Sequence, residues 1–264
     1  MKYEEVQAER ALELSPHHHA YINPYTGCSM GCPFCFWLSM EGWEGRIGVR
    51  KNLPELLRRE LKDWPKDEFL YLGSICDPFN EMEEEYGIAQ ECLKVIAEYQ
   101  IPVLITSSAV RPVILKAAEM LRQMKSPVIL VTELARIPEI ERMKQGESHR
   151  GIAHANQLKR MGLNVYATVA PICPGIIDLE PILEKLDPEI PVYVDSLQCA
   201  KDSIQEKRVM EWIQRDYPEL LGVYENIVMK KDLSYFEEIL KTYGTDSRVK
   251  TFPYDLKIKN NSIV

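Results

Sequence analysis

No stretch of this 264-residue chain approaches the roughly 20 consecutive apolar residues that cross a bilayer. The first residues, Met1-Lys2-Tyr3-Glu4-Glu5, lack the basic-then-apolar order of a secretory signal, so a cytoplasmic protein without membrane contact is expected. Basic surface is scarce as well. There are 32 Lys and Arg against 40 Asp and Glu, a formal charge of −8. Cations cluster only in short pairs, such as Arg58-Arg59 and Lys230-Lys231, and in a weakly basic tail around Lys250, Lys257 and Lys259. Sequence-independent affinity for nucleic acid comes largely from clustered cations, so a nucleic-acid substrate is disfavoured, although a local basic groove is compatible with this charge. Internal repeats, low-complexity tracts and Gly/Ser linkers are also missing. A single domain over 1–264 is expected, with a core over about 15–200 and an extension over about 201–264.

What is present is a composition that builds a large core. Apolar residues make up 45% of the chain and charged residues 27%, the balance of a globular protein of this length. Seven cysteines without an export signal read as metal ligands or buried thiols before disulfides. Three of them, Cys28, Cys32 and Cys35, fall within eight residues in the segment Asn23-Pro-Tyr-Thr-Gly-Cys28-Ser-Met-Gly-Cys32-Pro-Phe-Cys35-Phe36. Soft thiolates select iron–sulfur clusters, zinc or copper(I). Structural zinc and ordinary cluster sites normally take four protein ligands, and no second Cys or His pair completes this triplet. A three-thiolate loop on a 4Fe–4S core leaves one iron open to a small molecule. Gly27, Gly31 and Pro33 suit a loop wrapped tightly round an inorganic core. The competing reading is a zinc-stabilised or electron-transfer protein, with His17 to His19 or Cys76 as the nearby candidate for a fourth ligand.

Beyond the cysteines, short β-branched runs alternate with amphipathic stretches. Ala20 to Asn23, Phe69 to Gly73, Val103 to Thr106, Val128 to Thr132, Val165 to Ala170 and Val192 to Asp195 are nearly continuously apolar, as parallel strands buried on both faces are. Helical faces follow: Leu53, Leu56, Leu57 and Leu61, with Asn52 as candidate cap; Ala89, Cys92, Leu93 and Ile96; Ile114, Leu115, Ala118 and Leu121; Ile152, Ala155, Leu158 and Met161, ended by Gly162; and a short one over 181–186. Six strand–helix units in strict alternation predict parallel pairing with right-handed crossovers. A full barrel takes eight, so the expected fold is α/β, a partial (β/α)6 TIM-type barrel, with a mainly helical C-terminal extension from Asp202 to Gly244. A last extended segment is expected over 248–252. Active sites in such folds lie at the C-terminal ends of the strands. That edge carries Cys28 to Cys35, Ser74 to Asp77, Ser107, Ser108, Glu133, Pro171 to Gly175, and Ser196 to Cys199.

A cysteine triplet of this spacing after a first strand resembles the radical S-adenosylmethionine superfamily. Asn-Pro-Tyr-x-Gly-Cys, Ser74-Ile-Cys-Asp77-Pro78, Thr106-Ser-Ser, Arg150 at a helix start and Val169-Ala-Pro-Ile172 are similar to its spore photoproduct lyase-like branch, over roughly Asn23 to Gly175. The resemblance implies a cluster whose open iron is chelated by the methionine moiety of S-adenosylmethionine. It implies reductive cleavage to a 5′-deoxyadenosyl radical, with a flavodoxin- or ferredoxin-type protein as the external one-electron reductant. The cofactor carries the hard chemistry and the protein orients and shields it.

The resemblance also implies site roles. The edge at Ser74 would hold the methionine amino group, and Phe34 would lie against the adenine or cover the cluster. Ser107 or Ser108 would bond the ribose or carboxylate, against plain turn bonding. Glu133 would take the ribose hydroxyls or the substrate, and Arg150 the methionine carboxylate, against an ion pair with Glu147. Cys76 would be a hydrogen-atom donor, against plain packing of a buried thiol. The departures bear on the substrate. The branch places Tyr beside the last cluster cysteine, where Phe34 and Phe36 stand here, and Lys after the third strand, where Ser107 stands. Repair of DNA photoproducts is therefore the alternative, and hydrogen abstraction from a small-molecule or peptide substrate the expectation, with lyase-type chemistry among its forms. Cys173 and Cys199 read as inert thiols, His17 to His19 as surface or neighbouring imidazoles, and Asp77 and Asn80 as polar residues on a substrate-side loop, against a plain turn at Asp77-Pro78.

Overall fold

A computed structural model describes residues 2–14, 20–35, 37, 46–252, 258–259 and 262–263. His17 to His19, Phe36 and Lys257 lie outside the described residues. The chain opens with β1 (Lys2–Val6), β2 (Glu13–Leu14), β3 (Ala20–Ile22), β4 (Tyr25–Thr26) and β5 (Arg46–Arg50). Then come α1 (Leu53–Glu60), β6 (Leu70–Leu72), α2 (Glu83–Tyr86), α3 (Ile88–Tyr99), β7 (Val103–Ser107), α4 (Val113–Gln123) and β8 (Val128–Glu133). Next are α5 (Ile137–Lys144), α6 (Arg150–Arg160), β9 (Asn164–Ile172), α7 (Leu179–Lys185) and β10 (Val192–Ser196). The last part holds α8 (Ile204–Asp216), α9 (Leu221–Tyr224), a π-helical turn (Glu225–Met229), α10 (Ser234–Tyr243), β11 (Val249–Thr251), β12 (Ile258–Lys259) and β13 (Ser262–Ile263).

β3, β6, β7, β8, β9 and β10 lie side by side in that order, and every pair is parallel. This is the six-strand run expected from the apolar segments. β2 adds antiparallel to β3 at one edge, and β11, the extended segment expected near 248–252, adds parallel to β10 at the other. Leu70 pairs with Val103 and Leu104 with Ile129, so the strands stay in step and their C-terminal ends meet along one rim. Alternation within the strands splits the core. Leu70, Leu72, Val103, Ile105, Leu130 and Val165 face the helices, whereas Tyr71, Leu104, Ile129, Val131, Tyr166 and Tyr193 face the other way and pack with Ile263. Parallel strands need both faces covered, and these two clusters supply the cover.

On the outer face α1 lies against α3, α3 against α4, and α4 against α6. α3 buries Ile88, Ala89, Cys92, Leu93, Val95 and Ile96 on one side, the spacing of an amphipathic helix. Gly162 sits at φ 87° just past α6, the left-handed exit its position suggested. No helix among the described residues is long and apolar enough to cross a membrane.

Two expectations about local structure need correction, and one small sheet was not foreseen. The alternation is not strict, because both α5 and α6 lie between β8 and β9. α5 is hard to see in sequence: it is eight residues long, has Pro in its first turn and buries an acid, Glu139, beside Ile140. Asn52 does not cap α1 with its side chain. Its amide instead bridges to Ala8, accepting from the Ala8 N–H at 2.9 Å and donating to the Ala8 carbonyl at 2.8 Å. Finally, β1, β5 and β4 form a separate three-stranded sheet. Its charged sequence, with Lys51 paired to Glu5 at 3.2 Å, hides the strand pattern.

Candidate functional site

The cysteine loop is anchored at its root. Buried Asn23 follows β3, and its Oδ1 accepts from the Ser74 hydroxyl and the Ile75 N–H, each at 3.3 Å. Its Nδ2 donates to Glu13 and its carbonyl accepts from Arg50. Two residues on, the buried Tyr25 hydroxyl donates to Glu83, whose carboxyl also accepts the Ala89 and Gln90 N–H groups of α3, each at 2.9 Å. The Asn-Pro-Tyr run is thus a clamp that fixes where the loop begins. Gly27 and Gly31 then take φ of 77° and 62°, which L side chains rarely adopt, and the chain turns back on itself with the Cys35 N–H donating to the Cys32 carbonyl.

The three cysteines form no disulfide, are half-buried and open into a cleft of about 470 Å³. Its walls are the ends of β6 to β10, as the strand-end rule requires. Cys28, Cys32, Cys35 and Phe34 line it, as do Ser74, Cys76, Asp77, Ser107, Ser108, Glu133 and Arg136. Gly73 makes the turn out of β6 at φ 86°, where a Cβ would lie 2.5 Å from both the Pro78 ring and the Thr106 carbonyl.

Asp77 is the hub. Its carboxylate accepts from the Ser107 hydroxyl at 2.7 Å, the Ser108 hydroxyl at 2.5 Å, the Ser108 N–H at 2.9 Å and the Phe79 N–H at 2.9 Å. It lies 4.0 Å from Nη2 of Arg136, and Nη1 of Arg136 donates to Cys32 Sγ at 3.1 Å. Burial works against the Arg136 charge, yet Cys32, Glu133 and Asp77 hold it above its ordinary range. Its Nε is buried with no hydrogen-bond partner among the described residues. Glu133 is open to the solvent of the cleft yet enclosed by protein. Burial pushes its carboxyl above the usual carboxylate range, Arg136 draws it down and Asp77 adds to the rise.

Burial pushes the Cys28 thiol up to about 11, against the pull of the Met30 N–H and Arg136. Cys76 is 3% exposed, and burial, with Cys28 and Asp77 adding, holds its thiol well above the ordinary value, so it carries S–H at neutral pH. Phe34 is tied to the helical extension. Its carbonyl accepts from Gln205 of α8 at 2.5 Å, and its ring meets Trp212 edge-on at 6.3 Å.

No protein-family model matches the chain. An uncharacterized protein of Methanocaldococcus jannaschii is 25% identical over 232 residues, 84% of each chain. Spore photoproduct lyase complexed with dinucleoside spore photoproduct superposes with a TM-score of 0.55 at 15% identity, over 82% of this chain and 66% of that one. A mutant of that lyase with AdoMet and the dinucleoside bound gives 0.50 at 13% identity, over 78% and 65%. The chain is similar in fold to spore photoproduct lyase. It spans just under two thirds of the length of those solved chains.

In this fold the expected cluster and cofactor residues come together, except for Arg150. Cys28, Cys32, Cys35, Phe34, Ser74, Cys76, Ser107 and Glu133 all line the cleft. Arg150 is not among the residues that line it. Its guanidinium is paired with the buried Glu139, Nε to Oε1 at 2.9 Å with a further contact from Nη2, and its N–H donates to Oε2 at 2.8 Å. The ion pair considered for it was with Glu147, which instead pairs with Arg142 at 2.7 Å. The cation that faces the thiols is Arg136. Sequence reasoning missed it because Ala-Arg-Ile-Pro reads as the start of a solvated helix. The available signal was its place three residues after Glu133, at a strand end. Asp77 was read as a polar residue on a substrate-side loop, against a plain turn; it bonds the Phe79 N–H locally and also gathers both serines. Cys173 and Cys199 are buried, their thiols pushed up to about 12 and about 11 by burial, as inert thiols are.

A three-thiolate set with a buried guanidinium against one sulfur fits a negatively charged iron–sulfur core. Soft sulfur ligands suit iron, and the cation offsets the charge that the thiolates and sulfide bring. Among the described residues no three His, Cys, Asp or Glu side chains are grouped as ligands of one ion.

Proposed function

We propose that the chain is a radical S-adenosylmethionine enzyme in which Cys28, Cys32 and Cys35 hold a 4Fe–4S cluster. The observation that carries this reading is the three-thiol loop opening onto a strand-end cleft. The fold is shared with a lyase one of whose mutants has been solved with AdoMet bound. When bound, the cluster supplies the electron that breaks a carbon–sulfur bond of the sulfonium. Every other task falls to the chain's own side chains.

Asn23 fixes the Ser74–Ile75 edge, which presents backbone polar groups to an amino group. Arg136 takes the place proposed for Arg150, since its guanidinium lines the cleft and a carboxylate brought there meets a fork of donors. Glu133, open to cleft solvent and without a hydrogen-bond partner among the described residues, accepts from ribose hydroxyls. Ser107 and Ser108 hold Asp77 and through it Arg136. Phe34, braced by Gln205 and Trp212, covers the thiols and excludes water from them. Cys76 keeps its proton and offers a sulfur-bound hydrogen atom to the cleft.

The substrate we propose is a small molecule or peptide, and the electron source an external one-electron reductant of flavodoxin or ferredoxin type. The described walls of the cleft carry Asp77, Glu133 and Asp195 against one cation, Arg136, an arrangement that disfavours a polyanion. A DNA lyase is the second reading, favoured by the fold likeness to an enzyme solved with dinucleoside spore photoproduct. Protein reconstituted anaerobically, then given reductant and S-adenosylmethionine, should release 5′-deoxyadenosine. A loaded sample that releases none refutes the enzyme reading. Binding to duplex DNA that weakens steeply with salt would favour the second reading over the first.

A further inference from the structure

Arg136 does more than await a ligand. Its backbone is fixed, since its carbonyl accepts the Glu139 and Ile140 N–H groups at 3.0 and 2.9 Å as α5 begins. Its far end is fixed too, between Cys32 Sγ and the Asp77 carboxylate, and Asp77 is itself held by Ser107, Ser108 and Phe79. The side chain is therefore held against a cluster-ligand sulfur by partners on three strand ends.

We propose that Arg136 is a positioning residue that orients Cys32 and raises the reduction potential of the cluster before any nucleotide binds. This rests on the cluster reading above. Reduction adds one electron, delivered by the external reductant, and no bond is made or broken in that step. The reduced core is more negative than the oxidised one. A fixed guanidinium donating to a ligand sulfur therefore stabilises it more, and with its side chain only 11% exposed water screens that charge weakly. Hydrogen bonds to cluster sulfurs and nearby charge are general determinants of such potentials. The effect expected is at least tenfold on the reduction equilibrium, which for one electron is about 59 mV.

The test is a redox titration of the reconstituted protein without nucleotide, followed by the paramagnetic signal of the reduced cluster. Arg136→Met should lower the potential by about 59 mV or more, and Arg136→Lys, which keeps the charge but loses the fork, should fall between it and wild type. Arg150→Ala, on a guanidinium outside the cleft, should leave the potential in place. A role limited to binding a nucleotide carboxylate, or to packing, would move none of these values. Potentials for both Arg136 variants equal to wild type overturn the inference. So does an Arg136→Lys protein with wild-type thermal stability that loads no iron, since that makes the residue a requirement for assembly and not a tuner. If Arg136→Met fails to fold, the shift in Arg136→Lys decides alone. Wild-type protein that loads no iron refutes the cluster reading instead, so the two failures are distinguishable.

Discussion

Replacing Asp77 by Ala should cost the fold more than any other single change in the cleft. The carboxylate receives four hydrogen bonds, from two serine hydroxyls and two backbone N–H groups, and stands 4.0 Å from the Arg136 guanidinium. Alanine leaves the buried Ser108 N–H and Arg136 without that partner. Hydrogen bonds to a charged group contribute about 1.5–3 kcal/mol each and do not add, while stripping one partner from a buried ion pair costs about 3–5 kcal/mol. The expected loss is thus about 3–5 kcal/mol, seen as a fall in the urea midpoint at unchanged slope. At about 2–4 °C per kcal/mol this corresponds to roughly 6–20 °C in thermal midpoint. Asp77→Asn, which keeps an acceptor oxygen, should lose about half as much. Anaerobic urea denaturation followed by circular dichroism reads both variants. A loss below about 1 kcal/mol for Asp77→Ala would mean that the hub is not the organiser described here.

Other outcomes follow from the same geometry. Gly73→Ala forces a Cβ to 2.5 Å from the Pro78 ring and the Thr106 carbonyl at φ 86°, and should cost more than about 2 kcal/mol in denaturant titration. His149 is buried, its Nε2 on the Leu134 carbonyl and its Nδ1 accepting the Ile152 N–H, and burial lowers its pKa below the ordinary 6.5. The unfolded chain then binds the proton more readily, so stability is whole above about pH 6.5 and falls as pH drops toward the folded value, by at most about 1.4 kcal/mol per unit. His149→Gln should flatten that fall, and equal pH slopes in the two proteins would contradict it. Arg150→Ala should cost about 1–3 kcal/mol by stripping Glu139, yet leave S-adenosylmethionine affinity by calorimetry unchanged; a tenfold loss of affinity would place Arg150 in the site after all. Cys76→Ala should still release 5′-deoxyadenosine while altering the final product, because the role proposed for its thiol follows cleavage of the sulfonium.

Much of the fold was legible because buried parallel strands leave a strong trace. Val103 to Thr106 or Val192 to Asp195 can hardly be anything else, and the strand-end rule then placed the cysteines, Ser74, Ser107 and Glu133 around one cleft. What escaped was set by contacts remote in sequence. Arg136 reaches Cys32 across 104 positions, and Asn52 gives its amide to Ala8 across 44, so neither side chain's task is written in its neighbours. Arg150 offered a guanidinium fork suited to a carboxylate, but in the fold Glu139, eleven residues earlier, pairs with it. The small sheet of β1, β5 and β4 was hidden by its charge and short strands, its buried side chains among the described residues being only Tyr25, Ile47 and Val49, flanked by charged ones.

The most direct measurement is the paramagnetic spectrum of the reduced, reconstituted cluster with S-adenosylmethionine labelled by a magnetic isotope at its methionine amino and carboxylate groups. Hyperfine coupling from the label to the cluster is expected, because three thiolates leave an iron for the nucleotide to bind. A fully loaded cluster whose spectrum is the same with and without the labelled nucleotide would contradict the account.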